Sequence, residues 1–134
     1  MKMQAIQWAV DLGQSREHIF MATSDKAGWP HVTAAGTIRR ISDEKVAVSD
    51  WFCPGTVKNL EENRQVSLVV WDPVPDKGYQ LLGKVEEVDE EAMLDGYDPE
   101  LETRERTPQV ERELVIRVEK VLDFTYAPHS DAEQ

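Results

Sequence analysis

Cysteine is nearly absent from this chain. Cys53 is the only one among 134 residues, which excludes an intrachain disulfide framework and leads us to expect a reducing, cytoplasmic setting. No apolar run approaches the roughly 20 residues of a membrane helix, and the opening residues MKMQAIQWAV lack the long apolar core and cleavage site of a secretory signal. Cations are scarce: 15 Lys and Arg stand against 26 Asp and Glu, a net charge of −11. That balance argues against sequence-independent binding to nucleic acid or anionic membrane, both of which need positive surface. The three histidines, His18, His31 and His129, are too far apart for a metal-ligand motif, and no second cysteine supports one. Linkers, internal repeats and low-complexity segments are also missing, and no Ser–His–Asp order, paired-carboxylate signature or Walker loop is found.

What remains is one soluble domain over residues 1–134, long enough for a single core. Its charge is uneven. Residues 85–103 hold nine acids and no Lys or Arg, the pattern of a solvated face, whereas Arg39, Arg40, Lys58 and Arg64 surround the segments that carry the candidate site. Met3, Ile6, Ala9 and Val10 are spaced for a helix that Gly13 can stop. Period-two alternation then marks strands at 18–25, 31–42, 45–51, 65–72, 78–88 and 110–126, the last being the longest, with Leu114, Ile116 and Val118 on one face. A short polar helix is expected at 56–63. Six strands, mostly hairpin-joined, with an inserted helix and helical flanks predict a mainly β fold: a closed or nearly closed antiparallel barrel, which removes exposed edges.

Two stretches suggest a ligand. In CPGTVKNLEEN, Thr56 is positioned to cap the helix, Gly55 lets backbone approach closely, and the free N–H groups with the helix dipole favour an anion. Val57 and Leu60 would pin the helix to the barrel, and Asn63 would end it in a left-handed conformation. A capped helix that binds nothing has the same pattern. In TAAGT, the small residues Ala34, Ala35 and Gly36 interrupt a long strand, which marks a bulge, a crowded subunit contact or the approach of a flat group. Together the two stretches describe a groove with a flat platform at one end and an anion site at the other, the shape of a phosphorylated aromatic cofactor.

On these residues the chain resembles the FMN-binding split-barrel family related to pyridoxamine 5′-phosphate oxidase. The resemblance covers about residues 19–88 and the last strand, through MATSDKAGWPHVT, VAVSD, GTVKNLEENRQVSLVVWD and GYQLLGKVEEV. It implies a six-stranded split β-barrel and a homodimer with FMN at the subunit interface, acting on a small-molecule redox donor or acceptor. Position by position, Thr33, Ala34, Ala35 and Gly36 match the strand along the flavin ring. Ser49 and Asp50 match the ribityl region, Gly55 and Thr56 the phosphate corner, and Trp71 a region close to the flavin. Relatives often carry Lys or Arg beside the phosphate-binding hydroxyl. Here those positions read Gly55-Thr56-Val57, and the charge must come from Lys58, Arg39, Arg40 or the other subunit.

The vitamin oxidases of the family have a longer C-terminal part rich in Arg and His, whereas this chain ends LDFTYAPHSDAEQ, so pyridoxamine phosphate oxidation is not expected. The expected function is an FMN-dependent oxidoreductase or electron carrier. The alternatives are a split barrel holding a deazaflavin or haem, or one that has lost flavin binding and serves as an interaction module. Cys53 reads either as a low-pKa thiolate at the helix start or as a small packing residue. His31 could face the cofactor or solvent, and Trp51 could cover the ring or pack in the core. Trp8 and Trp29 are expected to pack helix and turn. Thr56→Asp is expected to expel FMN while leaving the barrel folded.

Overall fold

The computed structural model describes residues 2–93, 110–128 and 131–134, without the side chains of Trp51, residues 90–93 and Val110. His129 and the acidic residues Asp95, Asp98, Glu100 and Glu102 lie outside the described residues. Helix α1 (Lys2–Arg16) is followed by strands β1 (Ile19–Ser24), β2 (Pro30–Ala35), β3 (Thr37–Arg40) and β4 (Lys45–Trp51). Helix α2 (Pro54–Glu62) then leads to β5 (Gln65–Asp72), β6 (Lys77–Met93) and β7 (Val110–Asp123).

The strands form one antiparallel sheet in the order β2-β1-β5-β6-β7-β4-β3, curled into a half-barrel. There are seven strands among the described residues where the sequence suggested six, and the extra one has a simple origin. The long strand expected at 31–42 bends at Gly36. Its first half pairs with β1, Ala35 opposite Ile19, and its second half crosses to β4, Thr37 opposite Ser49. The two edge strands are thus consecutive in the chain and meet at the bend, and that draws the sheet round on itself.

Alternation in β1 is as expected: Ile19, Met21 and Thr23 are buried and Phe20 is exposed. Leu114, Ile116 and Val118 on β7 face the same core, joined by Ile38, Leu68 and Leu81. Helix α1 closes the half-barrel with Ile6, Ala9 and Val10. Met3 is exposed, not on that face. Gly13 does not stop α1. It is buried where a Cβ would lie 2.8 Å from Ile38 Cγ2, so it is there for close packing. The helix runs on to Arg16 and ends at Glu17, which takes the left-handed turn at φ 63°. The longest strand is β6, with 17 residues, not β7 with 14, because the chain leaves the sheet after Asp123. Asp76 holds the departing segment by accepting the Tyr126 and Ala127 N–H groups at 2.7 and 3.0 Å.

Candidate functional site

Helix α2 begins two residues before the expected start. Pro54, with fixed φ and no N–H, suits the first helical position, so Cys53 rather than Thr56 is the N-cap residue. The first helical bond runs from the Val57 N–H to the Cys53 carbonyl, 3.2 Å. The Gly55 and Thr56 N–H groups therefore lie in the first turn without helical acceptors, the arrangement that favours an anion. At the far end Asn63 is extended (φ −148°, ψ 117°), not left-handed. Its side chain accepts from the Gln65 N–H and donates to Ser24 Oγ, each at 3.0 Å, which leads the chain directly into β5. Leu60 and Val57 pin the helix to the core as expected.

Thr56, at the third helical position, is fully buried, with its Oγ1 3.3 Å from Cys53 Sγ. His31, on β2, brings Nε2 to 3.5 Å from the same sulfur. Burial pushes the Cys53 thiol up, but hydrogen bonds from the Thr56 hydroxyl, from His31 and from the Thr56 N–H outweigh it, and the pKa falls to about 7. The buried position also corrects one expectation. An aspartate at 56 would bury a carboxylate, so that substitution would damage the fold and not the ligand site alone. Gly55 is exposed, and a Cβ there would meet only the His31 ring, at 3.8 Å. This is open space beside unsatisfied donors. Exposed Lys58 lies one turn on from Gly55, on the same side of the helix.

The candidate residues divide between the two faces of the sheet. Thr33 and Ala35 alternate inward with His31, while Ala34 faces outward beside Val32 and opposite Phe20. Asp50 shares the inward parity of Val46 and Val48, and its Oδ2 accepts the Gly36 N–H at 2.6 Å. Ser49 has the opposite parity and is hydrogen-bonded to Glu113 Oε2 at 3.3 Å, and Arg39 closes an ion pair on that same carboxylate at 2.9 Å. Arg40 is committed elsewhere, to Gln7 and to the Ser42 and Asp43 carbonyls, so neither arginine serves the α2 corner. Arg64 lines a cavity of about 200 Å³ with Phe52, Val57 and Leu60.

Trp71 is at the other end of the outer face. Its indole donates to Asp76 Oδ1 at 3.0 Å, and its ring meets Phe124 edge-on at 6.0 Å. The Asp76 carboxyl is held below its usual range chiefly by the Tyr126 N–H, then by the Trp71 indole. With Phe20, Val69 and Tyr126, Trp71 lines an apolar pocket of about 250 Å³. Trp51 ends β4 beside Phe52 and Cys53, its side chain being outside the described set. Trp8 lies 6.3 Å from Tyr79, centroid to centroid, but Trp29 is 75% exposed and packs little. Sequence reasoning weighed His31 without tying it to Cys53, a pair that only the fold brings together. Nothing local marked Asp76, whose backbone partners Tyr126 and Ala127 are 50 and 51 residues away.

Among the described residues no helix is long and apolar enough to cross a membrane, and no three His, Cys, Asp or Glu side chains form a metal-binding group.

Known proteins resemble the chain over most of its length. The family model described as pyridoxamine 5′-phosphate oxidase matches residues 9–123. A Methanocaldococcus jannaschii protein, MJ0282, is 38% identical over 72 residues, 52% of this chain; the match spans about half (48%) of that relative's length. Among solved structures, a Clostridium acetobutylicum protein related to general stress protein 26 superposes with a TM-score of 0.68 at 16% identity, covering 100% of this chain and 96% of its own. The Group A Streptococcus protein HupZ gives 0.63 at 21% identity, covering 94% and 97%. An FMN-binding protein from Syntrophomonas wolfei gives 0.63 at 17%, covering 91% and 87%. At these identities the structural matches establish the split-barrel fold.

Proposed function

Since the chain belongs to the pyridoxamine 5′-phosphate oxidase family, we propose that it is an FMN-binding oxidoreductase or electron carrier that works as a homodimer. The observation that carries this reading is the approach of β2, an edge strand, to the N-terminus of α2. There the exposed Gly55 offers its N–H beside open space. The residues that can reach a phosphate are the exposed Gly55 with its N–H in the first helical turn and, one turn on, the Lys58 ammonium, whereas buried Thr56 supports the corner from beneath. From His31 the strand runs five residues to the Gly36 bend, about 16 Å of extended chain, room for the ribityl chain and ring of the same molecule.

Bound FMN supplies hydride or single-electron transfer, and the protein supplies position and electrostatics. Gly55 and Lys58 hold the phosphate, with Thr56 buried behind them. Thr33, Ala34, Ala35 and Gly36 leave space for the ring along β2, and Asp50 keeps the bend in place by its bond to Gly36. Ser49 acts from the outer face through Glu113.

The dimer covers the outer face of the sheet. Phe20 is 43% and Val32 63% exposed, Ala34 is exposed, and Val69 and Leu82 are half-buried beside them. An apolar strip of this kind on a sheet face is the signature of a contact surface. Trp71 and the pocket it lines are on the same side, so in the dimer they border the interface.

The test is to purify the protein, record its visible spectrum before and after adding FMN, and measure its mass in solution. Paired near-ultraviolet and blue flavin bands, with FMN released on denaturation and a two-chain mass, support the reading. A colourless protein that leaves added FMN unbound contradicts it, and a different chromophore replaces FMN as the cofactor.

A further inference from the structure

Cys53 is the single thiol of this chain, it is partly exposed, and it lies outside the hydrophobic core cluster. Groups from two different elements converge on it. His31 Nε2 comes from β2 at 3.5 Å, and the Thr56 hydroxyl comes from the first turn of α2 at 3.3 Å. A sulfur within reach of an imidazole, at the positive end of a helix, is the arrangement that activates a nucleophile. The Thr56 hydroxyl adds a separate argument. It is fully buried with the sulfur as its hydrogen-bond partner, and a thiolate accepts such a bond far better than a thiol does. Of the other charged groups nearby, Asp50 at the end of β4 directs its Oδ2 to the Gly36 N–H, and Lys58 on α2 carries the sign that favours an anion.

We propose that Cys53, with His31 and Thr56, is a reactive thiol that hydroperoxides oxidise to a sulfenic acid. The thiolate attacks the hydroxyl oxygen of the peroxide. An S–O bond forms as the O–O bond breaks, so sulfur loses two electrons and the peroxide gains them. The displaced hydroxide or alkoxide takes a proton from His31 or solvent and leaves as water or alcohol. Because the chain has no second cysteine, the sulfenic acid has no internal thiol to resolve it and persists until an external thiol reduces it. This inference requires no bound flavin.

The test uses the full chain. Iodoacetamide alkylation of Cys53 is followed by mass spectrometry across a pH series, and hydrogen peroxide treatment is followed by trapping with dimedone. The rate should rise with a midpoint near 7, and dimedone should mark Cys53. In His31→Gln the midpoint should move toward the ordinary thiol value of about 8.5, and alkylation at pH 7 should slow roughly threefold. A wild-type midpoint near 8.5, a profile unmoved by His31→Gln, or the absence of a dimedone adduct overturns the proposal. If His31→Gln does not fold, the wild-type profile and adduct decide alone.

Discussion

Asp50 Oδ2 accepts the Gly36 N–H at 2.6 Å, and the bond sits where the chain leaves the pairing with β1 and enters the pairing with β4. It joins the end of β4 to the meeting point of the two sheet edges, so one carboxylate fixes how the half-barrel closes. Asp50→Ala should lower the unfolding free energy by about 1 kcal/mol, the lower part of the range for a charge-assisted bond, because water can reach the freed N–H. Asp50→Asn, which retains an acceptor, should lose less. Urea denaturation of both variants measures the difference.

Two glycines separate close packing from ligand space. A Cβ on Gly83 would come within 2.1 Å of the Arg117 carbonyl oxygen, a collision with backbone that cannot be relieved by a rotamer change. Gly83→Ala should therefore cost about 3 kcal/mol or more. At Gly36 the same atom would meet Asp50 Oδ2 at 3.6 Å, an ordinary contact. Gly36→Ala should stay within about 1 kcal/mol of wild type yet weaken FMN binding if the ring lies along β2. Thermal melts and FMN titrations of the two variants check both halves.

Gly55→Asp is the substitution that tests the phosphate corner without disturbing the core, since position 55 is exposed and the side chain has room. A carboxylate at the helix start suits the dipole but repels a phosphate. The variant should keep its melting temperature and lose FMN affinity at least about tenfold, or about 1.4 kcal/mol. Saturating FMN should in turn slow the alkylation of Cys53 in the wild type and leave it unchanged in the variant.

The thiol also links stability to pH. Cys53 has a pKa of about 7 in the fold against about 8.5 for an ordinary thiol, so the native state binds the proton more weakly than the unfolded chain. The stability from this source is complete above pH 9 and is lost as pH falls through 7. Solvent screening of the partly exposed sulfur limits it to on the order of 1 kcal/mol. Wild type should thus gain on Cys53→Ser between pH 6 and 9 in urea midpoints, about 1 kcal/mol in all.

Much of the fold could be read from local pattern. β1 and β5 alternate cleanly because one side of each packs on the core, and Leu114, Ile116 and Val118 fell on the predicted face. The seventh strand was hidden because the small residues Ala34, Ala35 and Gly36 mask the change of phase at the bend, where the buried parity passes from Ala35 to Ile38, and periodicity carries no information about partners. Pro54 did offer a signal for the true start of α2, outweighed at the sequence level by the better-known capping role of threonine. Gly13 looked like a stop, although only the approach of Ile38 from β3 reveals why it is small. The presence of a short helix near Gly55 and Thr56 was legible because helix starts have local chemistry, although its cap is Cys53. The Cys53–His31 pair and the hold of Asp76 on residues 126 and 127 were not, being made across long stretches of chain.

The central claim is that α2 holds a flavin phosphate, and the affinity ratio of FMN to riboflavin measures it most directly. Riboflavin lacks only the phosphate, so ring and ribityl contacts cancel in the ratio. The account predicts that wild type binds FMN at least about tenfold more tightly than riboflavin and that Gly55→Asp abolishes the preference. Equal affinity for the two in the wild type would contradict it.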